Sequence, residues 1–340
     1  LLNRSSDLHD IPDLDLYHPW DIDAEQATEI ARRCEDAARA VDTRIGNSEG
    51  ATLYTQRSGF VYGNSHGFIG GYPTSRHSLS CAVIAQQGDE MQRDYWYDSD
   101  RVPTEIADPA SIGRRAAERA LARLNGRRLS TRECPVLFSA NIAPSVLRSL
   151  FGAIRGHAVY RKSTFLLDQV GEQIFPDWVN ISEDPLKPRG KASAPFDNEG
   201  VATHYRDLVK DGVLQGYLLD SYAARKLGLR STASAGGVHN ARIAPSGESF
   251  DELLREMDRG VLVTEMMGQG SNLVTGDYSR GAAGFWVEGG EIQYPVEEIT
   301  VASNLKDMFR RLLAVGSDDD IPSSIRTGSW LFESMTVGGN

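Results

Sequence analysis

Apolar residues recur at helical spacing in some stretches of the chain and alternate with polar ones in others, and this separates its elements. Asp23 followed by Gln26 predicts a capping box at the start of a helix. The buried stripe of that helix is Ala27, Ile30, Ala31, Cys34, Ala38 and Val41, ending near Gly46. From residue 48 to 97 the period shortens to two. Residues 53–62, 68–85 and 91–97 read as strands of a long antiparallel meander, with Gly88-Asp89 as a hairpin turn. A second helix starts at Asp108-Pro109, buries Ile112, Ala116, Ala120, Leu121 and Leu124, and stops at Gly126.

Residues 127–133 read as a linker and 134–138 as a buried strand. Behind Pro144, Leu147, Leu150, Phe151 and Ile154 make the stripe of a short helix, which passes into a basic, aromatic run ending near Ser163. Residues 187–195 read as a flexible polar loop, Asp211-Gly212 as a two-residue hairpin turn, 217–227 as a short helix and 233–237 as a glycine-containing loop. Ser249 and Glu252 predict a boxed helix through Met257, closed by Gly260. A strand over 261–267 and a glycine-rich stretch over 268–284 follow. Segments 285–287 and 292–296 form a hairpin about Gly289-Gly290. Asn304 caps a last helix facing Leu305, Met308, Phe309, Leu312 and Leu313 inward. Helices beside antiparallel strands imply an α+β fold. Two domains are expected: residues 1–126, an antiparallel sheet with flanking helices, and 127–340, mainly β, barrel- or sandwich-like, with a few helices.

At 340 residues the chain can bury a large core. No apolar run approaches the roughly 18 residues of a membrane span. A net charge of −11 without a long basic block weighs against nucleic-acid binding. Cys34, Cys81 and Cys134 are far apart and odd in number, which suits a reducing compartment and gives no zinc-ribbon spacing. The acidic first nineteen residues, punctuated by Pro12 and Pro19, read as an extended arm. They lack an initiator Met and do not form a signal peptide, so the natural beginning is expected to lie ahead of Leu1.

Candidate chemistry is sparse. Gly63-Asn64-Ser65-His66-Gly67 matches the nucleophile-elbow spacing, but a strand-like segment follows where that elbow needs a helix, so a hairpin tip is the better reading. His66, His77, His157, His204 and His239 contain no pair three to five residues apart, and no His-Glu-x-x-His occurs. Residues 268–276 are glycine-rich like a phosphate loop but lack its Gly-Lys-Ser/Thr ending. Around Tyr278 and Arg280, a sheet bend competes with a peptide groove in which Arg280 holds a carboxylate beside an open strand edge. Arg155, Arg161 and Lys162 are either a solvated face or a docking site for an acidic partner.

Six stretches are longer and more particular: residues 63–67; 159–168 (Val-Tyr-Arg-Lys-Ser-Thr-Phe-Leu-Leu-Asp); 223–229 (Ala-Ala-Arg-Lys-Leu-Gly-Leu); 267–270; 275–286; and 304–308. Together they resemble the TldD/PmbA metallopeptidase family, in its PmbA/TldE branch, over essentially the whole chain. The resemblance implies a cytosolic protein that pairs with a TldD-like subunit. That subunit holds zinc on a His-Glu-x-x-x-His segment and a Cys near its C-terminus, and the Glu serves as base to the metal-bound water. On this chain Phe151 and Gly156 stand for the two His, Gly152 for the Glu and Thr327 for the Cys, while His157 falls one position late. Five-residue spacing would set the second ligand about 100° further round a regular helix than the usual four. The resemblance thus implies no catalytic residue, metal or cofactor on this chain, with zinc on the partner. It implies unfolded or small peptides as substrates, including peptide natural products undergoing maturation and an antitoxin undergoing degradation. A homodimer is a further expectation when the partner is absent; direct nucleic-acid or membrane binding is not expected. Arg161, Lys162, Tyr278, Arg280 and His239 are the candidate peptide- or partner-binding residues. Two alternatives stay open: a self-sufficient peptidase with an unrecognised site, and a non-enzymatic binding protein of the gyrase-modulator kind.

Overall fold

Local side-chain chemistry starts and stops most of the elements where the pattern places them. The computed structural model describes residues 10–65, 67–319 and 321–339. The chain divides into two compact units. One comprises Asp15–Val61 and Gly71–Gly126; the other comprises Tyr62–Gly70 and Arg127–Asn340, with the described residues up to Leu14.

In the first unit, α1 (Ala24–Arg39) begins at Asp23, whose carboxylate accepts from the Gln26 N–H at 2.8 Å while the Gln26 side chain accepts from the Asp23 N–H. The strands β1 (Asn47–Gly63), β2 (Ile69–Gln87) and β3 (Glu90–Asp100) follow in the order β1-β2-β3, with β2 and β3 antiparallel about Gly88-Asp89. α2 (Pro109–Ala122) begins at the Asp108 cap and packs on α1. That approach needs Gly113, where a Cβ would stand 1.9 Å from the Cys34 carbonyl oxygen. The core is correspondingly small-grained: Cys34, Ala38, Cys81, Ala116, Ala117 and Ala120 lie among Leu79, Val83 and Ile112. α1 ends before the expected stripe does. Asp42 takes the Arg44 N–H at 2.8 Å, a side-chain bond that competes with the helix, so Val41 is exposed and Ile45 is buried instead.

In the second unit the chain runs β4 (Arg132–Phe138), α3 (Pro144–Ala153), α4 (Gly156–Tyr160), β5 (Ile181–Glu183), β6 (Arg206–Lys210), β7 (Val213–Leu214), α5 (Ser221–Leu227) and β8 (Ala241–Ile243). It continues α6 (Phe250–Met257), β9 (Gly260–Met267), β10 (Asp277–Glu288), β11 (Glu291–Asn304), α7 (Leu305–Arg310), β12 (Leu312–Val315), β13 (Ile325–Arg326) and β14 (Trp330–Gly338). Strands pair in the order β11-β10-β9-β4-β14, and β14 returns to β11 through Val301 and Val337, closing a five-stranded barrel with β12 added on β14. All these pairs are antiparallel except β4–β9. Aromatic rings fill the core: Phe138 meets Phe332 at 5.1 Å, and Phe175 stacks on Phe309 at 4.6 Å. A second sheet, β13-β8-β5-β6-β7, is built from short strands. The fold class is therefore α+β, with a three-stranded antiparallel sheet beside helices and a mostly β barrel unit with few helices.

The glycine-rich stretch 268–284 is a turn followed by strand, in keeping with the sheet-bend reading: β10 starts at Asp277, and Gly284 lets β9 approach where a Cβ would stand 1.9 Å from the Leu262 carbonyl oxygen. Several local expectations are corrected. α6 is closed by Asp258 at φ 54°, so Gly260 opens β9 rather than ending the helix. The last helix stops at Arg310; Leu312 is drawn into β12 and Leu313 is exposed. The loop 187–195 is held, not free: Asn240 accepts from the Ala192 N–H at 2.8 Å and donates to Ser193 Oγ at 2.7 Å.

Candidate functional site

Pro144, with no N–H to lose, occupies the first turn of α3, and Leu147, Leu150 and Phe151 are driven into the barrel core. The opposite face carries Ser145, Ser149 and Gly152. Ser149 Oγ lies 3.3 Å from Ser271 Oγ, so this face meets the loop that precedes β10. α3 also packs against β13, just ahead of Thr327. The helix does not continue through the segment compared with the zinc motif. It is capped at Ile154, Arg155 is extended at φ −70° and ψ 131°, and α4 restarts at Gly156. The 100° offset expected of a regular helix therefore does not apply.

Zinc does not fit the side chains found here. Phe151 is 8% exposed and apolar. A Cβ on Gly152 would stand 2.8 Å from Leu273 Cδ1, and one on Gly156 would stand 2.5 Å from Ala223 Cβ. Thr327 is buried, and its hydroxyl accepts from Trp330 Nε1 at 2.5 Å and donates to the Gly328 carbonyl at 3.0 Å. His157 faces outward against the Tyr160 ring, 5.2 Å between centroids. Among the described residues, no group of three or more His, Cys, Asp or Glu side chains is placed to hold a metal ion. His77 is buried and satisfied by Thr55 Oγ1 at 2.7 Å and the His18 carbonyl at 2.9 Å. Ser65 lies at the β1–β2 tip, ahead of a strand and not a helix, and His66 lies outside the described residues.

Tyr278 and Arg280 share one face of β10. The strand edge beside them is taken: the Ser279 N–H donates to the Gly270 carbonyl at 2.8 Å, and the Asn272 N–H to the Asp277 carbonyl at 2.8 Å. The open edge of the peptide-groove alternative is thus closed by the chain's own loop, which favours the sheet-bend reading, and glycine at 270 permits the approach. What stays unmet is polar. Tyr278 OH, Arg280 Nε and Ser145 Oγ are buried and make no hydrogen bond to any described residue. Burial pushes the Tyr278 phenol up to about 12, held back by the neighbouring Arg280 and Ser145, so it remains an O–H donor. Donors buried without acceptors cost free energy and mark places where water or a ligand supplies the partner.

His239 belongs to a different cluster, which periodicity could not show. Its N–H donates to Glu183 Oε2 at 2.8 Å, and Arg206 Nε donates to Glu183 Oε1 at 2.5 Å. Arg206 also reaches Ser234 Oγ at 2.6 Å. Burial lowers the His239 imidazole below its ordinary range, against the opposing pull of Glu183 and Asp197. Asp197, raised by its own burial, accepts the N–H groups of Glu199, Val201 and Ala235 and so ties the two loops together. Arg161 and Lys162 sit apart from both clusters, at the exposed end of α4.

The second unit is thus a closed five-stranded barrel with a short helix packed against β13. Residues 131–339 match the PmbA/TldA metallopeptidase C-terminal domain, and residues 17–124 match the central domain. The chain belongs to the PmbA/TldD metallopeptidase family. It is 52% identical over 330 residues to metalloprotease PmbA of Escherichia coli O157:H7, covering 97% of this chain and 73% of that protein. A metalloprotease TldD homolog of Haemophilus influenzae is more distant, 23% identical over 239 residues, covering 67% of this chain and 50% of that one. The crystal structure of a candidate modulator of DNA gyrase from Bacteroides thetaiotaomicron superposes with a TM-score of 0.93 at 28% identity, over 100% of this chain and 78% of that chain. Among the described residues no helix is long and apolar enough to cross a membrane.

Proposed function

We propose that this chain is the non-catalytic subunit of a two-component zinc metallopeptidase, paired with a TldD-like subunit that holds the metal and the general base. One observation carries the reading: at positions 151, 152, 156 and 327 the side chains are apolar, absent or already hydrogen-bonded, and Gly156 is closely packed by Ala223 and Leu219. The greater identity to a PmbA-named relative than to a TldD-named one supports placing the chain on the PmbA side of the pair. On this reading the chain contributes no step of metal chemistry. Arg280, half-buried on β10, forms part of the wall that receives an unfolded or small peptide, with Tyr278 buried behind it as support. Peptide-natural-product maturation and antitoxin degradation are the processes this pairing would serve.

The test is metal analysis and peptide cleavage on the isolated chain, the TldD-like subunit and their co-purified pair. Zinc near one equivalent and cleavage are expected in the pair, with neither in the isolated chain. Stoichiometric zinc in the isolated chain, or failure of the two chains to associate, overturns the reading.

A further inference from the structure

The chain has 47 acidic residues in 340, yet residues 135–167 and 221–247 contain none. The fold brings these two acid-free stretches together. α4 comes from the first and α5 from the second, and they pack so closely that Gly156 could not carry a Cβ without striking Ala223 and Leu219. Their contact buries Leu219, Ala223 and Ala224 in a small cluster beneath the surface, which makes the pair a firm platform rather than two loose helices.

Above that cluster lies a continuous aromatic strip. His157 meets Tyr160 at 5.2 Å, Tyr160 meets Tyr222 at 5.7 Å, Arg161 stands over Tyr160 at 5.8 Å and Lys226 over Tyr222 at 5.5 Å. Tyr222 and Leu229 are 50% and 52% exposed, so apolar surface is offered to solvent among the charges. Arg155, Arg161, Lys162, Arg225, Lys226 and Arg230 are all exposed, and none has an ion-pair partner among the described residues. The nearest carboxylates at the start of α5 are engaged with backbone, Asp220 with the Ala223 N–H and Glu199 with the Ser221 N–H, and pair with none of these cations. Basic side chains laid over rigid aromatic rings suit a protein surface bearing carboxylates and some apolar area, because the rings hold the cations in place before contact. The negative remainder of the molecule disfavours a long polyanion such as duplex nucleic acid.

We propose that the α4–α5 face is the docking surface for an acidic patch on the TldD-like subunit. This rests on the pairing reading above and adds where the pairing occurs.

The test is sedimentation velocity of the chain with purified TldD-like subunit at low and physiological salt, using the unaltered chain, the Arg161→Glu/Lys226→Glu double variant and Lys210→Glu as a control reversal on the β6–β7 hairpin. Circular dichroism confirms that each variant is folded. The double reversal is expected to weaken association by at least about tenfold and to flatten its salt dependence, with the control unchanged. Association of the unaltered chain that the double reversal leaves intact overturns this inference alone. No association by the unaltered chain overturns the pairing reading and this inference with it. If the reversal instead abolishes self-association of the chain, or binding to a short duplex DNA, while leaving the subunit pair unaffected, the face has a different occupant and the proposal fails.

Discussion

Two buried polar clusters of the barrel unit differ in one respect. Around Glu183 the partners are present: Arg206 and the His239 N–H meet its two oxygens. Around Tyr278 they are missing, and three buried atoms point at no acceptor. A satisfied network holds loops in place and stabilises the fold; an unsatisfied one costs stability and is kept where a ligand completes it. The first therefore reads as scaffold; the second is a strained polar spot beneath the half-buried Arg280, which we propose supports the peptide wall.

The comparison breaks most readily at Glu183. Glu183→Ala leaves the Arg206 cation buried with no counter-charge, and urea unfolding is expected to show a loss of about 3–5 kcal/mol. A loss below about 1 kcal/mol would show that the cluster is not structural. Next is alkaline pH. The Tyr278 phenol is raised from 10.0 to about 12, so its contribution is full below pH 10 and lost as pH climbs through 12. Unfolding curves should show a fall on the order of 2–3 kcal/mol across that window in the unaltered protein relative to Tyr278→Phe. A pH dependence shared by both proteins would remove Tyr278 as its source. At neutral pH, Tyr278→Phe deletes an unpartnered hydroxyl and should raise stability by about 1–2 kcal/mol. If it destabilises the chain instead, the hydroxyl already has a partner and the contrast between the clusters is lost. The smallest effect is on the acid side. His239 is held below its ordinary 6.5, so the unfolded chain takes up its proton first and stability falls as pH drops below 6.5. His239→Gln should flatten that slope; an unchanged slope would place its origin elsewhere.

How far each feature was legible follows from the reach of the interaction that makes it. The capping boxes Asp23–Gln26 and Ser249–Glu252 and the turns at Gly88-Asp89, Asp211-Gly212 and Gly289-Gly290 all appear at the expected residues, because each depends on neighbours a few positions away. β14 was not expected at all. Its alternation is broken by a bulge between Phe332 and Met335, and its partners lie in β4, β11 and β12. The site divides in the same way. The side chains at positions 151, 152, 156 and 327 could be read directly, but that Leu273 and Ala223 crowd the two glycines could not.

The sequence alone determined the capped starts of α1, α2, α6 and α7, the hairpin turns, the acid-free stretches and the residue types at the four compared positions, since these are properties of single residues and their near neighbours. Only the tertiary structure decided that the barrel closes through β14, that the α3 helix breaks before Gly156, and that Tyr278 OH and Arg280 Nε are buried without acceptors while His239 is enclosed with Glu183. Each of these depends on which distant segments come within a few ångströms, and that is set by the packing of the whole unit.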